Sequence, residues 1–188
     1  MTILRASALM LLLMTALTGI IYPLLLTGLA RILFPFQADG SLLVEDGRVI
    51  GSSLIGRQFD DPKYFWPRPS ATVPFPYNAA LSSGSNFGPL NGQLMEAKQS
   101  RARALRAAGP ENREPAPADL ITASASGLDP HISPEAARFQ ALRVARARQM
   151  DPNAVLKLID RHTQRRQLGF LGEPAVNVLL LNRALDAH

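Results

Sequence analysis

Ser124, Ser126, Asp129 and His131 fall within one short stretch, Thr122-Ala123-Ser124-Ala125-Ser126-Gly127-Leu128-Asp129-Pro130-His131-Ile132-Ser133-Pro134. A hydroxyl nucleophile, an imidazole base and an orienting carboxylate are the parts of a Ser/His/Asp hydrolase. Two features argue against assembling them. Neither serine sits in a Gly-x-Ser-x-Gly elbow, and Asp129 and His131 are two positions apart, which leaves little room for a relay. The simpler reading is structural. Asp129 holds the Asp129-Pro130 turn, His131 makes a local hydrogen bond, and Gly127 turns at positive φ. Ser133 is a helix N-cap, with Pro134 at the first helical position where no N–H is needed. No catalytic residue is assigned.

Other chemistries find less support. No Gly-Lys pair occurs, which excludes a Walker A phosphate loop. No Asp-Lys-Thr occurs either, so the phosphorylated aspartate of P-type ATPases is absent. His131, His162 and His188 are not at ligand spacing and the chain has no cysteine, so no metal site is assigned. His162 reads as a core-edge residue. The formal charge of +5 is carried almost wholly by arginine. Those arginines are dispersed without an aromatic binding signature, which argues against nucleic acid. Arg68-Pro69-Ser70-Ala71 and Ser82-Ser83-Gly84-Ser85-Asn86 have the composition to hold an anion or a partner's backbone, although most such loops are only loops. Arg138, Arg143, Arg146 and Arg148 read as a solvated helix face.

The elements that position these residues begin with an anchor. Ala6 to Ala30 carries no charge and is bracketed by Arg5 and Arg31. As a helix it spans about 37 Å, enough for a hydrocarbon core of about 30 Å. Its length exceeds a signal-peptide core, so it reads as a retained anchor, kinked at Pro23. The expected organisation is a flank over 1–5, a transmembrane helix over 6–34 and a single soluble domain over 35–188. Within that domain, Asp46-Gly47 between two apolar runs predicts a hairpin, extended by Leu54-Ile55-Gly56. Helices are expected over Leu90–Ala108, with Leu90, Leu94 and Leu105 on one face, and over Pro134 to about Met150. A third starts at Asp151-Pro152, with Arg165 and Arg166 in its last turn, and a closing helix carries Val178, Leu181 and Leu185. Leu120-Ile121-Thr122 reads as a short strand. The fold class is α+β: one transmembrane helix, then a domain with a small hairpin sheet and about four helices.

Taken together and in order, several segments resemble the KdpC family, subunits of the bacterial Kdp potassium-transporting ATPase. They are Gly51-Ser52-Ser53-Leu54-Ile55-Gly56, Tyr64-Phe65-Trp66-Pro67-Arg68-Pro69-Ser70-Ala71, Tyr77-Asn78 and Gly84-Ser85-Asn86. The Thr122–Pro134 stretch, Gln140 with Arg143-Val144-Ala145, and Val176-Asn177-Val178 with Leu181-Asn182 complete the set. Ser83 stands where the family often has Gly, which would matter if that position needs positive φ.

The resemblance implies a non-catalytic, single-span subunit of the inner membrane with its soluble domain outside the cytoplasm. The implied partners are a channel-like potassium-translocating subunit, a catalytic P-type ATPase subunit and a small membrane peptide, besides membrane lipid. Potassium would be carried by a partner. The implied role is chaperone-like: assembling the complex and raising the ATPase subunit's affinity for ATP. ATP would not be held tightly; if it binds directly, Gln140 and Arg143 would supply amide and guanidinium. A domain outside the membrane cannot reach cytoplasmic ATP, so that reading conflicts with the topology. The alternatives are an extracytoplasmic cap that conditions potassium entry, and an anchored Ser/His/Asp hydrolase. Structural or partner-contact candidates are Tyr64, Phe65, Arg68, Ser70 and Asn86, together with Ser124, Ser126, Gly127, Asp129, His131 and Ser133.

Overall fold

The computed structural model describes residues 2–110 and 112–187 and divides into two compact units, Met1–Ser52 and Ser53–His188. In the first, an apolar helix runs over Thr2–Leu33, 32 residues with none of its apolar window buried. It is long and apolar enough to cross a bilayer once. It comprises α1 (Thr2–Ala16), a π-helical turn (Leu17–Ile21) and α2 (Tyr22–Leu33). The expected irregularity at Pro23 takes the form of that turn, in which Tyr22 N–H donates to the Leu17 carbonyl. A widened turn just ahead of the proline gives its ring room and accommodates the missing donor.

A one-turn helix, α3 (Pro35–Ala38), leads into the expected hairpin of β1 (Leu42–Glu45) and β2 (Arg48–Ser52). Asp46 and Gly47 both lie at positive φ, as a two-residue turn of this hand requires. The strands pair Leu42 with Ser52 and Glu45 with Arg48, with a bulge between Leu43 and Val44. The strand stops at Ser52; Leu54-Ile55-Gly56 does not extend it, because the chain turns at Ser53-Leu54.

The second unit contains α4 (Gly92–Ala108), α5 (Ala118–Ile121), β3 (His131–Ile132), α6 (Pro134–Arg148), α7 (Pro152–His162), β4 (Thr163–Gln164), β5 (Ala175–Asn177) and α8 (Val178–Asp186). A three-stranded antiparallel sheet in the order β3-β5-β4 was not expected from sequence. Around it α6, α7 and α8 bury Val144, Val155, Ile159, Val176, Val178, Leu181 and Leu185 with Phe65 and Ile132. Caps fix the helix starts. Ser133 accepts from Ala136 N–H, Asp151 from Asn153 N–H and Asn177 from Leu180 N–H.

Four further expectations need correction. Helix α4 begins after the Asn91 cap, leaving Leu90 98% exposed, and only Leu105 of its proposed apolar face is buried. Leu120-Ile121-Thr122 is not a strand, since Ala118–Ile121 forms a helical turn. Arg165 and Arg166 lie beyond the end of α7, whose last turn carries Arg161 and His162 instead. The arginines of α6 are not a uniform solvated face: Arg143 is buried.

In detergent-solubilised full-length chain, Leu181→Ala is expected to cost about 2–5 kcal/mol of unfolding free energy through a cavity in this core. Leu90→Ala should leave the denaturation midpoint unchanged, since its side chain meets solvent.

Candidate functional site

The residues around 62–66 form no regular strand, yet their backbone is almost fully hydrogen-bonded, by side chains. Asn182 accepts from Phe65 N–H at 2.8 Å and donates to the Phe65 carbonyl at 3.0 Å. Gln140 does the same for Trp66, accepting at 2.8 Å and donating at 3.1 Å. Each amide thus imitates the edge of a neighbouring strand. Arg143 donates to the carbonyls of Pro62 (2.5 Å) and Tyr64 (3.0 Å) and to Gln140 Oε1 (2.6 Å), while its guanidinium lies 4.5 Å from the Trp66 ring centroid. Arg148 continues the grip, donating to the Lys63 and Leu185 carbonyls and pairing with Asp186 at 2.6 Å. Tyr64 hydroxyl also reaches Asp186. Gln140, Arg143 and Asn182 are 1%, 5% and 1% exposed. Burial pulls the Arg143 pKa down to about 10, so the cation persists at neutral pH.

A second network joins the Arg68–Asn78 loop to the Ser124–His131 loop. Ser70 hydroxyl donates to the Gly127 carbonyl (2.7 Å) and accepts from Tyr77 N–H (3.0 Å). Thr72 hydroxyl donates to the Phe75 carbonyl and accepts from Asn78 N–H. Buried Tyr77 donates to the Arg68 carbonyl, and burial, reinforced by the Asp129 charge, raises its phenol pKa well above the ordinary value. Ser124 N–H donates to the Pro69 carbonyl, and Ser83 N–H to that of Ser126. Gly127 lies at φ +69°, and a Cβ there would stand 2.7 Å from the Ser83 carbonyl oxygen. Only glycine fits that crossing. Ser83 itself needs no positive φ; exposed Asn86 is the residue of its loop in that region.

The four residues with hydrolase chemistry are therefore near in sequence but otherwise employed. Ser124 and Ser126 hydroxyls meet each other at 3.2 Å and accept from the Gly127 and Leu128 amides. His131 faces Asp129 at 3.4 Å, and Asp129 accepts from His131 N–H (3.0 Å) and pairs with Arg68 (3.1 Å). Desolvation pushes the Asp129 pKa up, but the hydrogen bonds from His131 and Arg68 outweigh it and hold the carboxyl below its ordinary value. Ser133 N–H is held in turn by Asp119 at 2.7 Å. No group of three or more His, Asp or Glu side chains suited to a metal occurs among the described residues.

Residues 4–187 match the family described as "KdpC: K+-transporting ATPase, c chain". The chain is 60% identical over 187 residues to the potassium-transporting ATPase KdpC subunit of Methylibium petroleiphilum (strain ATCC BAA-1232 / LMG 22953 / PM1), covering 100% of this chain and 98% of that one. It is 59% identical over 186 residues to that of Dechloromonas aromatica (strain RCB), covering 99% and 97%. The chain belongs to the KdpC family. It is accordingly a subunit-type component of a potassium-transporting ATPase, as the resemblance in its sequence implied.

Within this KdpC fold the expected site residues serve two purposes. Phe65 is wholly buried, while Tyr64 and Trp66 are half-buried, so the Tyr64–Trp66 segment is anchored from within through Phe65. Gln140 and Arg143 are brought together as expected, but they face backbone. Arg68, Ser70, Ser124, Gly127 and Asp129 form one loop assembly; Asn86 and Ser133 lie outside its bonds. Sequence reasoning gave no site role to Asn182, Arg148, Thr72 or Asp119. The available signal was a polar residue on an apolar helical face: Asn182 lies between Leu181 and Leu185.

Gln140→Leu keeps the volume but orphans both polar groups of Trp66, and is expected to destabilise the chain by about 3 kcal/mol in denaturant titrations. Asp129 contributes stability that is present above the unfolded carboxylate pKa of about 3.9 and lost as pH falls through its lower folded value. Asp129→Asn should flatten that acid limb of the stability–pH curve while leaving other carboxylates to titrate.

Proposed function

We propose that this KdpC-family chain is a membrane-anchored, non-catalytic subunit whose second unit lies outside the cytoplasm and works by contact. It would bind the channel-like potassium-translocating subunit and the catalytic P-type ATPase subunit, together with a small membrane peptide, and stabilise their assembly. Its chaperone-like effect on the ATPase subunit's ATP affinity is then a coupling free energy carried through membrane helices, not a shared nucleotide contact.

The observation that supports this reading is the use of Gln140 and Arg143. An amide and a guanidinium one helical turn apart suit a base and a phosphate, yet here they are buried and bonded to the backbone of 62–66. A nucleotide would have to displace those bonds and open the core beneath them. The loop assembly around Asp129 likewise offers a braced surface and no free nucleophile. Both properties suit a subunit that positions others.

A C-terminal alkaline phosphatase fusion, expressed with the other subunits, should be active outside the cell. Leaving this chain out should lower the yield of the complex and raise its KM for ATP. Asp129→Ala combined with Ser133→Ala is expected to reduce complex yield before it changes activity per assembled complex. A silent fusion, or nucleotide binding by the isolated full-length chain, would overturn the proposal.

A further inference from the structure

A hairpin stands off the three-stranded sheet between β4 and β5. Residues 164–174 are all exposed. Its end is closed by Gln167 N–H to the Leu171 carbonyl at 2.8 Å and the reverse bond at 2.9 Å, and its legs are tied by one Arg166 nitrogen, Nη2, which donates to both Glu173 carboxylate oxygens. It is a braced projection.

Its tip has the wrong composition for water. Leu168, Phe170 and Leu171 are 83%, 69% and 48% exposed. Leu168 also sits at φ +52°, followed by Gly169 at +83°. Asn or Gly at that position would be less strained and better solvated. Folding alone gives no reason to place a leucine there, since the residue is both strained and exposed. Strain and an apolar patch at one spot indicate a surface used elsewhere. On the leg that leads to the tip stands Arg165, exposed and with no carboxylate partner among the described residues.

We infer that this hairpin is a lipid contact: Leu168, Phe170 and Leu171 enter the interfacial layer of a bilayer while Arg165 meets anionic headgroups. Aliphatic and aromatic side chains beside unpaired cations are the composition that binds this layer. Three side chains give only weak, reversible binding, but the chain is tethered to the membrane by its apolar helix, so the contact is intramolecular in effect. The inference rests on the anchored reading above and not on which side of the membrane the unit occupies.

The chain has no cysteine, so single-cysteine labelling is direct. Full-length chain carrying Leu171→Cys or, as control, Leu90→Cys would be spin-labelled and reconstituted in bilayers with or without phosphatidylglycerol. Collision with oxygen against a water-soluble nickel chelate reads depth. The label at 171 is expected to favour oxygen several-fold over the label at 90, more so with anionic lipid, and Arg165→Glu should reduce the difference. Leu168→Asn with Phe170→Ser should abolish it while thermal stability holds or rises. A 171 label as aqueous as the 90 label in both lipids overturns the inference. So does a 171 label that becomes shielded only when the other subunits are added, which would make the tip a protein contact. Either result leaves the complex-yield and fusion experiments standing, so the two proposals fail separately.

Discussion

The second unit depends on an irregular chain being held by side chains where a strand would be held by a sheet. Backbone around 62–66 lies against α6 and α8, and its N–H and C=O groups need partners where the chain is buried. Gln140 and Asn182 each provide one donor and one acceptor at the right separation, Arg143 serves the carbonyls of Pro62 and Tyr64, and Arg148 serves that of Lys63. Burying a guanidinium is costly unless its donors are used. Here two of its nitrogens donate to three acceptors, and an aromatic face covers it. Remove Gln140 or Asn182 and the amide and carbonyl of Trp66 or Phe65 lose their partners.

That constraint organises the rest. With 62–66 fixed, the chain that follows leads directly into the Arg68–Asn78 loop, and the hydroxyls of Ser70 and Thr72 stitch that loop internally and to Gly127. The Asp129–Arg68 pair and the Asp129–His131 turn then deliver the chain to the Ser133 cap and the start of α6, the helix that carries Gln140 and Arg143. The path closes on itself. A domain built this way has its polar chemistry directed inward, which is what a subunit needs if it acts by shape and attachment.

The parts of this design that were legible in the sequence are those with local causes. Asp46-Gly47 specifies a turn, Ser133-Pro134 and Asp151-Pro152 specify helix starts, and a charge-free run specifies an apolar helix. The strand expected at Leu120 failed because an apolar triplet has no period; Pro117 and the contact with α4 make it a helical turn. Strands β3 and β4 have two residues each and exist only because β5 lies between them, so no local pattern announces them. Gln140 and Arg143 were recognised as a pair worth attention, but their roles lie in contacts 74 to 81 residues away. Spacing along a helix shows which side chains share a face. It does not show what that face meets.

At Pro62 and Lys63 the clamp reads main chain, not side chains, and this has a consequence for how such proteins diverge. Pro62 and Lys63 are gripped through their carbonyl oxygens, so the grip itself is indifferent to what their side chains are. Substitutions there can accumulate without disturbing the core, while Gln140 and Arg143 are bound to each other and Asn182 to the Phe65 main chain, so each is held to its present chemistry. Variation is thereby channelled to the outer side of the same segment whose inner side is fixed. Such a protein can revise its outward surface, partner by partner, on an unchanged frame.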